Sequence, residues 1–257
     1  LQKLTIPLFY YPFTNPTLYP EPASADQSQR PWWAIAVQPT WLIFIGSIVL
    51  VSVPVFIEAP LVRHLPWLSL ILTLGWLWSS AILLTQRRLW IWGDLLLGFS
   101  GSWFAGSIYW GWFRWEPLWH LPIECLALPL PLWCISRHRL LIGSWFALGS
   151  LLGTAVTDVY FYVVDLMPQW RQVMRVDAEL AMPIFQTAIA KVQTPWGTVC
   201  AVVLGSVLLL AGLIPLWTTG TEGPRSLHRS LHRWAFSGAV LSTILVDTLF
   251  WFAALAA

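Results

Sequence analysis

The feature that most limits what this chain can fold into is the recurrence of apolar stretches about as long as a bilayer is thick. A spanning helix needs about 20 mostly apolar residues. Seven segments meet or approach that length: residues 40 to 57, 67 to 85, 89 to 110, 118 to 135, 140 to 163, 196 to 217 and 234 to 254. With 57% hydrophobic and only 10% charged residues, against roughly 25% charged in soluble domains, the composition agrees. The expected fold is an all-α polytopic transmembrane helix bundle of about seven spans, with the lipid bilayer as its first partner. It occupies residues 40 to 257 as a single domain. Residues 1 to 39, with seven prolines and no continuous apolar core, are expected to form an irregular tail, neither a cleavable signal peptide nor a first span.

Pro117, Pro122, Pro129 and Pro131 make the fourth segment the weakest, since each proline removes a backbone donor or crowds the preceding turn. A broken or re-entrant span is expected there. Charge parity bears on whether it crosses. With seven spans, Lys3, Arg30, Arg87, Arg88, Arg137, Arg139, Arg225, Arg229 and Arg233 share one side, nine in all, against Arg63, Arg114, Arg171, Arg175 and Lys191 on the other, five in all. Without the fourth crossing the tally is seven against seven. The positive-inside rule therefore favours seven crossings, with the N-terminus cytoplasmic and the C-terminus outside.

The run "RSLHRSLHRW" at 225 to 234 repeats Ser-Leu-His-Arg just before the last span. Spacing by four puts Arg225, Arg229 and Arg233 on one helix face, a cytoplasmic basic anchor, and His228 with His232 on a neighbouring face. A metal site is the sharper alternative, with His138 in another cytoplasmic loop, but no Cys or fixed carboxylate completes a ligand set, so no metal is assigned. A net charge of +2 does not suggest a nucleic-acid partner. Cys125, Cys134 and Cys200 all lie in apolar runs and read as buried free thiols. Most of the 20 tryptophans fall near span ends, where the indole suits the headgroup level. Trp76, Trp78, Trp103, Trp145 and Trp251 lie further inside and are candidates to line a cavity.

Four carboxylates fall within spans and form a candidate buried polar site: Asp94, Glu124, Asp158 and Asp247. Such groups are costly in hydrocarbon and normally face the bundle interior. Asp94, Gly98, Ser102 and Gly106 recur at i, i+4, as do Ser150, Thr154, Asp158 and Tyr162, and Ala239, Thr243, Asp247 and Trp251. Small residues at that spacing mark helix seams. Asp94 sits near the cytoplasmic start of its span, the other three acids in the outer half. Glu58, Arg63, His64, Arg114 and His120 occupy the same outer side, which suggests an outer vestibule with Arg63 or Arg114 as counter-charge. Asp158 and Asp247 are expected to meet each other or a shared partner. The acids equally fit a purely structural role as interhelical glue.

The connection at 165 to 194 is the longest external one; Pro168 and Pro183 are each placed to open a short helix lying on the outer surface. Asp158 and Asp165, two turns apart if the helix continues, are a thin signal for magnesium-dependent prenyl chemistry. No nucleotide loop, nucleophile elbow, His-Glu-x-x-His or Cys-x-x-Cys motif occurs, all five histidines lie in loops or at span ends, and no cofactor is implied. The runs "VPVFIEAPLVRHLPWLSL", "TDVYFYVVDLMPQWRQVM" and "IFQTAIAKVQTPWG" resemble, in that order, a cyanobacterial integral membrane protein family known only as a domain of unknown function. The resemblance implies a thylakoid or plasma membrane location and confers no catalytic residue. The role expected is a non-enzymatic accessory or assembly factor for a larger photosynthetic-membrane complex, with a transporter for a small solute or ion, using the buried carboxylates, as the alternative.

Overall fold

Backbone N–H and C=O groups have no water to bond in hydrocarbon, so apolar stretches of this kind close their bonds internally as helices. The computed structural model describes residues 39–177, 180–219 and 227–256. Ten α-helices follow in order: α1 Pro39–His64, α2 Pro66–Thr85, α3 Trp90–Ile108, α4 His120–Glu124, α5 Pro129–Ser136, α6 Leu141–Val163, α7 Met167–Val173, α8 Ala181–Val192, α9 Pro195–Thr219 and α10 Leu227–Ala256, with no strand among the described residues. The expected tail at 1 to 39 lies almost wholly outside those residues.

Six stretches are long and apolar enough to cross a membrane: Thr40–His64, Pro66–Thr85, Pro117–Ser136, Leu141–Val163, Pro195–Trp217 and Ser230–Phe252. The chain is a membrane protein on that ground. The expected third span, which is α3, is not among the six, because Gly93, Gly98, Gly101 and Gly106 with Asp94, Ser100, Ser102 and Ser107 dilute its apolar content. All of them but Gly101 and Ser102 are buried. Helix α3 packs against α1, α2 and α6, while α10 lies along α1 and α6 with α9 outside it. Around α3 gathers a core of Ile43, Leu95, Phe99, Trp103, Ile142, Phe146, Leu231, Ala235 and Ala239.

Helices α3 and α6 cross with their backbones in direct contact. A Cβ on Gly98 would collide with the backbone of Gly143, and one on Gly143 with the Asp94 carbonyl oxygen. Only glycine at both positions permits that approach. Beside it, Leu140 takes a left-handed φ of 49°, which turns the chain so that α6 begins facing Asp94. The Asp94 carboxylate then accepts from Ile142 N at Oδ2 and Gly143 N at Oδ1, each at 3.0 Å. One helix thus supplies the N-terminal cap of another, and a carboxylate suits the positive end of the α6 dipole.

The seam on α6 differs from the expected one. Tyr162 is 69% exposed, and the face of α6 toward α10 is made by Gly149 against the Phe236 carbonyl and Gly153 against Thr243. Seam spacing marked the right helix and the wrong face, because Ser150 and Thr154 stand one position off the glycines. Trp76, Phe99 and Trp103 stack as a core triad with centroids 5.6 to 5.8 Å apart, whereas Trp78 points outward at 72% exposure and lines no cavity.

The fourth segment is broken, as its prolines require. A 3-10 turn at Pro117–Trp119, helix α4, a second 3-10 turn at Cys125–Ala127 and helix α5 succeed one another. Pro117 and Pro129 stand in first turns, where no intrahelical donor is lost. Asp165 adopts φ 57° just after α6 ends, so Asp158 and Asp165 do not share a helix face; Asp165 pairs instead with Lys191 Nζ at 2.7 Å. That removes the paired-acid reading.

If the Asp94 clamp holds the α3–α6 crossing, Asp94→Leu leaves two buried N–H groups unpaired at about 1–3 kcal/mol each, and Asp94→Asn only one. Thermal unfolding in detergent should therefore rank wild type above Asn above Leu. Equal midpoints for the two variants would show that these bonds do not hold the crossing.

Candidate functional site

The ends of α1, α3 and α6 and the starts of α2 and the broken segment meet at the end of the bundle opposite Asp94. Each contributes a polar side chain. Glu58, one and a half turns before the end of α1, is only 7% exposed. Its Oε1 accepts from Ser107 Oγ at 2.9 Å and sits 3.5 Å from Ser69 Oγ, and the two serines are 2.7 Å apart. With Ser107 donating to Glu58, Ser69 donates to Ser107.

A five-residue π turn, Tyr109–Phe113, follows α3 directly. Such turns reset the helical phase and recur at functional sites. This one buries Tyr109 completely and lays its ring against His120, centroids 4.2 Å apart at 27°. Trp110 meets the same imidazole edge-on at 6.0 Å and also packs against Trp170, whose Nε1 donates to the Arg114 carbonyl at 2.7 Å.

His120 opens α4 and stands between two carboxylates. Its Nδ1 lies 2.9 Å from Asp158 Oδ1 on α6, and its Nε2 lies 4.0 Å from Glu124 Oε1, one turn on along α4. Glu124 is within Coulombic range of both Glu58 and Asp158. With His120 as imidazolium, one carboxylate of the three is compensated; the other two call for protons or a cation. Two polar atoms here are buried without a partner, Asp158 Oδ2 and Tyr109 Oη. Burying such atoms unpaired is costly.

The structure thus brings Glu58, His120, Glu124 and Asp158 together and leaves the other candidate residues apart. Asp94 is engaged at the opposite end of α3. Asp247 accepts from Thr157 Oγ1 at 3.1 Å, while Asp158 turns to His120, so the two aspartates neither meet nor share a partner; adjacent residues on α6 face different helices. Arg63 and His64 are exposed at the end of α1. Arg114 Nη1 donates to its own Trp110 carbonyl, with the guanidinium 5.7 Å over Trp115. The residue that faces these acids is therefore His120, neither arginine, and the cluster is enclosed where an open vestibule was expected. Arg225 and the side chains of His228 and Arg229 lie outside the described residues; the His232 ring packs 5.8 Å from Trp145. Among the described residues no group of three or more His, Cys, Asp or Glu is arranged to hold a metal.

Sequence reasoning missed Tyr109, Ser69 and Ser107, which carry no periodic signal, and a bidentate ion pair. Arg171 on α7 donates through Nε to Glu116 Oε2 at 3.0 Å and through Nη2 to Oε1 at 2.8 Å. Arg171 holds the Glu116 carboxyl below the usual carboxylate range. A carboxyl lowered by folding contributes stability above its unfolded pKa, and that contribution is lost as pH falls through the folded value. The pair is half-exposed, so its effect is modest and salt-sensitive. Arg171→Gln should lower the unfolding midpoint slightly at neutral pH and low salt, and not at a pH below the carboxylate range. A pH-independent loss would assign Arg171 a packing role.

No curated protein and no solved structure matches the chain significantly. The model of a protein family of unknown function, DUF3120, matches residues 47–255. That match takes in every member of the buried cluster, and the chain belongs to the DUF3120 family.

Proposed function

We propose that this chain is a polytopic membrane transport protein that moves a small cation by way of the Glu58, His120, Glu124 and Asp158 cluster. The observation that carries the reading is the convergence of four ionisable side chains from three separate elements within apolar helices. Charges in that setting are expensive and mark ion pathways by default. A crevice of about 10 Å³ borders Glu124, roughly the space of one water, which fits a small ion better than an organic solute. Reconstituted protein on a supported membrane should give transient currents on a jump in proton, sodium or potassium concentration, and Asp158→Asn with Glu124→Gln should abolish them. Currents unchanged in the double variant would sink this reading.

Seven crossings go with it, with the cluster in the outer half of the bundle. Helix α3, about 28 Å long at 1.5 Å per residue, begins beside the start of α6 at Asp94 and ends beside Glu58 and His120, so it traverses the same depth as its neighbours. A cysteine introduced in the 86 to 88 loop before α3 should then react with impermeant reagent only from the cytoplasm, and one beside Trp115 after it only from outside. Labelling of both from one side would refute the crossing of α3 and with it seven crossings.

The alternative, an accessory factor for a photosynthetic-membrane complex in a thylakoid or plasma membrane, is favoured by one observation. The α7 and α8 segment is fastened by Arg171 to Glu116 and by Lys191 to Asp165, as a docking face would be. Stable co-purification with a larger complex, without currents, would select it.

A further inference from the structure

We propose that the cation is the proton and that His120 relays it, exchanging it with Glu124 at Nε2 and with Asp158 at Nδ1. The inference rests on the transport reading and names its substrate. One imidazole stands between two carboxylates, 2.9 Å from one and 4.0 Å from the other. The shorter gap is a hydrogen bond; the longer is closed by a small rotation of Glu124 or by one bridging water. Tyr109 and Trp110 hold the ring in that orientation by face and edge.

The ionisable groups around His120 come from each element packed on it: Asp158 from α6, Glu124 from its own helix and Tyr109 from the π turn, with Glu58 of α1 facing Glu124. A metal ion between Nε2 and Glu124 would find two protein ligands, fewer than the three that even open catalytic sites use. A proton needs only the two atoms.

The transfer balances. A proton from the Glu124 carboxylic acid adds at Nε2 and gives imidazolium with an ionised Glu124. The Nδ1 proton then passes to Asp158, leaving neutral imidazole and a protonated Asp158. Asp158 Oδ2, buried without a protein partner, is where that acid meets water, and Tyr109 Oη supplies a second polar contact for it. The neutral ring is then the Nε2–H tautomer; a turn of the ring past Tyr109 and Trp110 that exchanges the places of its two nitrogens resets the relay, and the opposite gradient runs the steps in reverse.

A route leads away from the relay. The crevice beside Glu124 and a second one of about 20 Å³ beside Asp94 share Ala127, Pro131 and Ala147. They run along the groove between α3, α6 and the broken segment. Its floor is narrow because Gly98 and Gly143 bring the two helices together, and its wall carries Ser102 as a hydroxyl. The groove approaches Glu124 from the Asp94 end of the bundle.

The test uses full-length protein in potassium-loaded liposomes containing a pH-sensitive dye. Valinomycin sets an inside-negative potential, and the wild type should acidify the lumen. His120→Gln should slow acidification by about 10²-fold, the scale of proton transfer through a positioned side chain, while His232→Gln should leave it unchanged. Undiminished acidification in folded His120→Gln protein would overturn the relay. Sodium or potassium currents without acidification would also overturn it while leaving the transport reading intact; the absence of every current would defeat both. Nitrogen-15 spectra of histidine in the wild type give a readout independent of flux and of variant folding. The His120 signals should move between tautomer and imidazolium as pH changes, and the titration should shift in Glu124→Gln. A single fixed state at every pH would refute the proposal.

Discussion

The backbone contact between α3 and α6 sets the height of everything else. Gly98 and Gly143 let the helices touch, and Asp94 fixes their register by holding the first N–H groups of α6. Both helices run in the same direction from that clamp. Fifteen residues beyond Asp94 on one lies Tyr109, and fifteen beyond Gly143 on the other lies Asp158, about 22 Å along each axis at 1.5 Å per residue. Tyr109 and Asp158 therefore arrive level, and both touch His120. A register shift of one turn, 5.4 Å, would remove either contact.

The broken segment completes the arrangement because a regular helix would not suit it. Four prolines across Pro117–Ser136 divide it into short turns, and the division lets the backbone enter the groove between α3 and α6. Proline at first-turn positions loses no intrahelical donor, so the breaks cost little where they fall. What they provide is a one-turn helix carrying His120 and Glu124 at i, i+4, both turned toward Asp158 and Glu58. Non-helical backbone at membrane depth is tolerated where protein surrounds it, and here α3 and α6 do so.

Much of this was legible in the sequence. Length and apolar content mark all seven segments, α3 and the broken one included, and prolines mark the fourth as broken. Helix α3 escapes a hydropathy criterion because it is surrounded by protein, and a helix that faces neighbours on all sides needs small and polar residues where a lipid-facing one needs leucine. The acids were legible as costly, and depth grouped Glu58, His120, Glu124 and Asp158 on one side, but together with Asp247, Arg63, His64 and Arg114, which the structure keeps apart from them. Partner choice was not legible. Asp158 and Asp247 have similar neighbours in sequence, yet a one-residue rotation about the α6 axis, near 100°, separates the Thr157 face toward α10 from the Asp158 face toward α4. Arg63 and Arg114 stay away from the acids because a long cationic side chain at a span end reaches solvent or its own helix carbonyls at lower cost. Tyr109 gave no signal, since a π turn breaks the periodicity by which a buried face is read.

Counting oxygens separates the buried acids by what they have left to do. Both oxygens of Asp94 accept backbone N–H groups, so its bonding capacity toward α6 is filled and its work is structural. Glu58 has one oxygen engaged by two serines that also engage each other, a chain able to reverse the direction in which its protons point. Asp158 has one oxygen on His120 and the other buried with no partner. An acid kept only as glue between helices gains by satisfying both oxygens, because an unpaired buried acceptor costs as much as a bond returns. The same bundle therefore holds one acid that fixes its register and another that its register brings to His120.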